Sequence, residues 1–155
     1  EPTIRIIDWL SAKGIGLAVN ADKVTPDFVF SYGMLWNFKE NGHFITPIDD
    51  KIESGVVVYE NGQEVLAGPP TNEYLPTYVK KILRQFLADQ NVKTPKILVM
   101  SKDKKHFDLC FSVESLGGPK ASEHQGILEA FSWFFPPHYS LLLVSEEGLP
   151  AFFDL

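Results

Sequence analysis

Between residues 27 and 38 the chain (DFVFSYGMLWNF) sets an aromatic or large apolar side chain at every second position: Phe28, Phe30, Tyr32, Met34, Trp36 and Phe38. Alternation of this kind places all six on one face of a strand, with Val29, Ser31, Gly33, Leu35 and Asn37 on the other. The pattern predicts a long strand that turns at Glu40-Asn41-Gly42, where Asn-Gly supplies the positive φ angles of a tight hairpin, and returns through 43–46. Gly33 leaves a gap where another backbone can approach closely. Upstream, Thr3, Ile6, Ile7 and Leu10 fall at helical spacing and Gly14 is placed to end that helix in a left-handed conformation. A short strand over 15–19 and a polar loop over 20–26 follow.

Beyond the polar connector 47–54 the periodicities change more often. Strands are predicted over 55–59 and 64–67, with Asn61-Gly62 at the hairpin tip. Gly68-Pro69-Pro70 stops the sheet, because proline has no N–H to give a ladder. Asn72 then reads as the cap of a helix whose stripe is Leu75, Tyr78, Val79, Ile82, Leu83, Phe86 and Leu87, with Pro76 in its first turn. Residues 96–100 and 106–113 predict a third hairpin across Lys102-Asp103-Lys104-Lys105. Ser122-Glu-His-Gln125 has the form of a capping box that opens a helix carrying Ile127, Leu128, Phe131, Phe134 and Phe135, ended by Pro136-Pro137. Strands over 139–144 and 151–153 complete the chain. The predicted fold is an α+β domain, 1–155, with a mostly antiparallel sheet and three helices, in the order β-β-α-β-β-α-β-β over its C-terminal two-thirds. A seam between sub-lobes is expected near 47–54.

The segments SGVVVY…AGPPTNEYLPTYVKKILRQFL, KILVM…FDLCFSV and FFPPHYSLLLVSEEG, spanning about residues 54–153, make the chain resemble the SseB enhanced-serine-sensitivity family of bacteria. That resemblance is one of element order. It implies no catalytic mechanism and brings no active-site residues to this sequence.

Composition places the chain among globular proteins: 155 residues, 45% hydrophobic and 13% aromatic, enough to bury roughly two-thirds of the unfolded surface. No apolar run reaches the roughly 18 residues that span a bilayer, and Glu1-Pro2-Thr3 does not open a signal peptide, so the expected compartment is the cytoplasm. The chain begins without a methionine, as a fragment or processed form would. One cysteine, Cys110, rules out a disulfide framework and a multi-cysteine zinc site. Charge is uneven. Residues 1–70 carry 5 basic and 10 acidic groups, 71–120 carry 9 and 5, and 121–155 carry no basic and 5 acidic groups, with a net charge of −6 for the whole. The acidic balance argues against general binding to nucleic acid.

The chain has no phosphate-binding loop, dinucleotide fingerprint, nucleophile elbow or zincin motif. Gly14-Ile-Gly16 lacks a third glycine and follows a helix, which is the wrong setting for a dinucleotide. Cys110 is the one possible sulfur nucleophile, yet His106, four residues before it, lies about 13 Å away along a strand. A buried, inert thiol is the competing reading. His43, Asp49 and Asp50, with Asp27, are the only candidate metal ligands, and no ligand spacing recurs among them; His124 and His138 read as surface groups. Lys80, Lys81 and Arg84 on the polar side of the second predicted helix, and Lys102, Lys104 and Lys105 on a hairpin tip, suit an acidic partner or simply a solvated face. The large residues of 28–38 read first as core; Tyr32 and Trp36, joined by Trp9 and Trp133, carry polar atoms that want partners, and the competing reading sets them at the rim of a cleft or interface. The expectation is a non-catalytic protein that works by protein-protein contact, with no cofactor, and a homodimer through exposed strand edges. A small-molecule or peptide binder with a groove near Tyr32 and Trp36 is the alternative, and a Cys110-dependent thiol enzyme the second.

Overall fold

The computed structural model describes residues 2–155. The first helix, α1 (Pro2–Lys13), ends as its sequence predicts: Gly14 takes a φ of 65° and the Ile15 N–H donates back to the Leu10 carbonyl at 3.1 Å. Strands β1 (Leu17–Val19) and β2 (Phe28–Phe30) pair antiparallel as a separate two-stranded ribbon.

The long strand expected over 27–38 does not form. Its start is β2, and residues Tyr32–Asn41 are a helix, α2. Ser31 caps it, accepting the Met34 N–H at 3.3 Å, and Gly42 closes it at φ 82°, its N–H donating to the Phe38 carbonyl at 2.6 Å. Asn41-Gly42 is therefore a helix end, not a hairpin, and 43–46 contain no strand. The alternation misleads because Gly33 and Leu35 between the large residues leave the segment equally readable at helical spacing. In that register Leu35 packs with Ile7 and Leu10 of α1, with Phe30, Phe38 and Phe44 around them. Tyr32 and Trp36, four apart, share a different face.

The main sheet takes β3 (Val56–Glu60), β4 (Gln63–Gly68), β5 (Lys96–Ser101), β6 (Asp108–Ser112) and β7 (Ser140–Val144) in spatial sequence order. The β3–β4 turn carries positive φ at both Asn61 (49°) and Gly62 (79°), as a tight hairpin requires. A short last strand, β8 (Phe153–Asp154), pairs with the start of β5, beside the stretch of β5 that meets β4. Between β4 and β5 lies α3 (Thr77–Asp89), and between β6 and β7 lies α4 (Ala121–Ser132). The α+β class and the order from β3 onward are as the sequence predicts. The described residues hold four helices rather than three, and the sheet is mixed: β6 and β7 run parallel, because the chain returns to the sheet through a crossover helix instead of a turn.

Helix starts shift as well. Asn72 does not cap α3; its side chain accepts the Thr77 hydroxyl at 3.0 Å, and the helix begins after Pro76. At α4 the reciprocal contact is two residues earlier than Ser122-Gln125, the Glu123 carboxylate accepting the Lys120 N–H at 2.8 Å.

Two cores flank the sheet. Val79, Ile82, Leu83 and Leu87 of α3 and Phe131 of α4 close over Ile97, Val99, Leu109 and Phe111. On the opposite face Val65, Ala67, Leu98, Met100 and Cys110 are covered by Phe152 from the C-terminal segment. Residues Ile97–Ser101 of β5 are buried in unbroken succession, as befits a central strand covered on both sides. Each fully buried large aliphatic or Phe side chain here stabilises the fold by about 1.5–3 kcal/mol. No helix among the described residues is long and apolar enough to cross a membrane.

Candidate functional site

The N-terminal helices join the sheet where α2 meets the end of α4. The last carbonyls of a helix have no partner within it, and α2 supplies partners for those beyond α4. Ser31 donates its hydroxyl to the Trp133 carbonyl, and the Asn37 amide donates to the Phe134 carbonyl at 3.0 Å. Gly33 makes the approach possible: a Cβ there would stand 2.6 Å from the Trp133 carbonyl carbon and 2.7 Å from the Phe134 Cα. Close backbone approach at Gly33 is the one feature of this junction that the sequence predicts.

Beside this junction runs an open, mostly apolar groove of about 900 Å³, near the upper end of the roughly 300–1,000 Å³ typical of ligand clefts. One wall is α4, through Gln125, Leu128, Glu129 and Trp133; the other is Val29 and Met34; Pro136 and Pro137 close one side. Trp133, 45% exposed, stands at the rim. Behind Met34 and Pro136 is a closed chamber, too tight for a water molecule, bordered by Asn37, Phe44 and Ile45. Asn37 is 1% exposed. Because the Phe134 carbonyl can only accept, the amide nitrogen must face it, and Asn37 Oδ1 is left buried with no hydrogen-bond partner. An orphan acceptor of this kind costs about 1–3 kcal/mol.

The aromatic residues singled out by sequence converge, but not as a groove of their own. Tyr32 lies 5.8 Å from Trp133 and 5.6 Å from Phe134 between ring centroids, and Trp36 lies 6.3 Å from Phe134. Tyr32 and Trp36 are half-buried against the core, burial raising the Tyr32 phenol, while Trp133 alone of the three lines the groove. Trp9 is exposed on α1. Neither Lys80, Lys81 nor Arg84 lines it. Lys81 borders a separate shallow cleft of about 650 Å³ with His43, Asn41 and Tyr78 at the start of α3.

The remaining candidates are dispersed. Cys110 is buried on the back face of the sheet, and burial pushes its thiol up to about 12. His106 is exposed and paired with Asp103 at 2.5 Å, well apart in role from the thiol. The Asp103 carboxyl is held far below its usual range by hydrogen bonds from the His106 backbone and ring and the Lys105 backbone. Asp27 accepts from Lys23 at 2.7 Å and from Asn20 at 2.5 Å, and these bonds lower it. Among the described residues no three His, Cys, Asp or Glu side chains come together as a metal cluster. His124 points its Nε2 at the Pro119 carbonyl, 3.0 Å away, and His138 is lowered by desolvation and by Lys51.

Sequence reasoning missed Leu128, Glu129 and Asn37 as site residues. The four-residue spacing of Gln125 and Glu129 on one helix is a usable signal for Glu129. Asn37 was hidden by the strand reading of its segment. No family model, no curated protein and no solved structure matches this chain.

Proposed function

We propose that this protein acts by recognition and not by bond-making, holding an apolar segment of a protein partner in the groove between α4 and the β2–α2 junction. The observation that carries the reading is the groove itself: an open, largely apolar cleft of about 900 Å³ between α4 and the β2–α2 junction, within the size range of ligand clefts. Leu128, partly buried, belongs to no buried cluster and lines this space. The burial and raised thiol of Cys110 weigh against thiol catalysis. The likeness of element order to the SseB family, which implies no catalytic residues, points the same way.

A library of random peptides displayed on phage tests this. The wild-type chain should enrich a family of apolar sequences, and Leu128→Asp, which puts a charge into the groove without disturbing the core, should lose them. Equal enrichment by the variant would place binding elsewhere.

A second contact surface is favoured by the edge strand β3, where Val56, Val57 and Tyr59 are exposed and no Lys or Pro blunts the edge. Pairing of two copies along β3 would give the homodimer.

A further inference from the structure

Resting on the groove as the binding surface, we infer the chemistry of its occupant: a partner segment in which an arginine or lysine is flanked by apolar residues. The reason is a mismatch between donors and acceptors in the lining. Its hydroxyls are spent on the protein's own carbonyls: Ser31 donates to Trp133, Ser132 to Glu129 at 2.6 Å and Tyr139 to Tyr74 at 2.6 Å. Gln125 gives one of its two amide N–H groups to Glu129 Oε1 at 3.0 Å. His124 Nε2 donates to the Pro119 carbonyl. Pro136 and Pro137 have no N–H.

What the groove offers outward is therefore mainly acceptors: the second Glu129 oxygen and the Gln125 carbonyl oxygen. Trp133 is part-exposed in the groove lining, and an indole ring attracts cations. Among the described residues Glu129 is the only charged one of the lining, and the segment 121–155 that builds most of it has five acidic groups and no basic one. Glu129 in the last turn of α4 and Trp133 at its C-terminal cap both line the groove, so a guanidinium or ammonium bound there has a carboxylate and an indole for partners. A groove that accepts but scarcely donates, and carries only negative charge, is complementary to a donor-rich cation set among apolar neighbours.

The same phage library separates this inference from the reading beneath it. Sequences enriched by the wild-type chain should carry Lys or Arg beside apolar residues well above the input frequency. Glu129→Gln should weaken a synthetic peptide of the enriched sequence about two- to fivefold, and Glu129→Lys by about tenfold or more, through like-charge repulsion; the weakening should shrink in high salt. Enriched apolar sequences without a basic residue, or with acidic ones, would overturn the inference and leave the groove reading standing. So would basic peptides that bind Glu129→Lys as tightly as the wild type. Failure to enrich any sequence would overturn both.

Discussion

Gly33→Ala should cost more stability than any other single-methyl addition in the N-terminal helices. The new Cβ would meet backbone atoms, 2.6 Å from the Trp133 carbonyl carbon and 2.7 Å from the Phe134 Cα, and backbone cannot swing aside as a side chain can. Relief requires α2 to move off the end of α4. Overpacking of this kind costs about 1–3 kcal/mol. The same movement stretches the Ser31 and Asn37 hydrogen bonds to the Trp133 and Phe134 carbonyls, each worth about 0.5–1.5 kcal/mol. Against this, alanine recovers up to about 1 kcal/mol of helix propensity. The net expectation is a loss of about 2–4 kcal/mol, read by urea denaturation, with the melting temperature falling by about 2–4 °C for each kcal/mol. Gly126→Ala is the control, since Gly126 lies inside α4 with no atom within 4 Å of its would-be Cβ; there propensity alone acts and the chain should gain about 0.5–1 kcal/mol. If Gly33→Ala is as stable as the wild type, α2 does not sit tightly on the end of α4.

Three further outcomes follow from the same contacts. Asn37→Asp replaces the donor to the Phe134 carbonyl by a carboxylate in a buried site and should destabilise by about 3 kcal/mol or more in denaturant melts; a neutral effect would mean that the site is open to water. Cys110 should resist iodoacetamide at neutral pH until the chain unfolds, and its stability contribution has a definite sign: the native thiol keeps its proton to about 12 while the unfolded thiol loses it near 9, so the native state binds more protons in that window and stability falls as pH rises through it. Cys110→Ala should flatten that fall, and an unchanged alkaline profile would refute the assignment. Val57→Lys on the edge strand should shift any dimer seen by sedimentation toward monomer without changing the melting temperature by more than a few degrees.

The sheet half of the fold is legible because its signals do not compete. Asn61-Gly62 sits between two alternating runs and makes the hairpin, β5 is apolar without a break over 97–100 because both its faces are covered, and the α3 stripe has a single period. Asn41-Gly42 carries the same turn chemistry and ends a helix instead. A positive φ at glycine serves either purpose, and the preceding hydrogen bonds decide which. The segment from Phe28 to Phe38 fails as a strand because its periods compete, and the winner depends on contacts 97 and 102 residues away, from Asn37 to Phe134 and from Ser31 to Trp133. No local pattern encodes those. The site was legible to the same extent: the rings of Tyr32, Trp36 and Trp133 do gather, but Phe134 takes up Tyr32 and Trp36, and the open surface lies on the α4 side.

The most direct measurement of the central idea is a titration of isotope-labelled protein with an enriched peptide, followed by nuclear magnetic resonance. Recognition through the groove predicts that the Trp133 indole and the amides of Leu128, Glu129, Val29 and Met34 shift together and saturate together. Shifts confined to β3, or to Lys80, Lys81 and Arg84 on α3, with those groove signals unmoved, would contradict it.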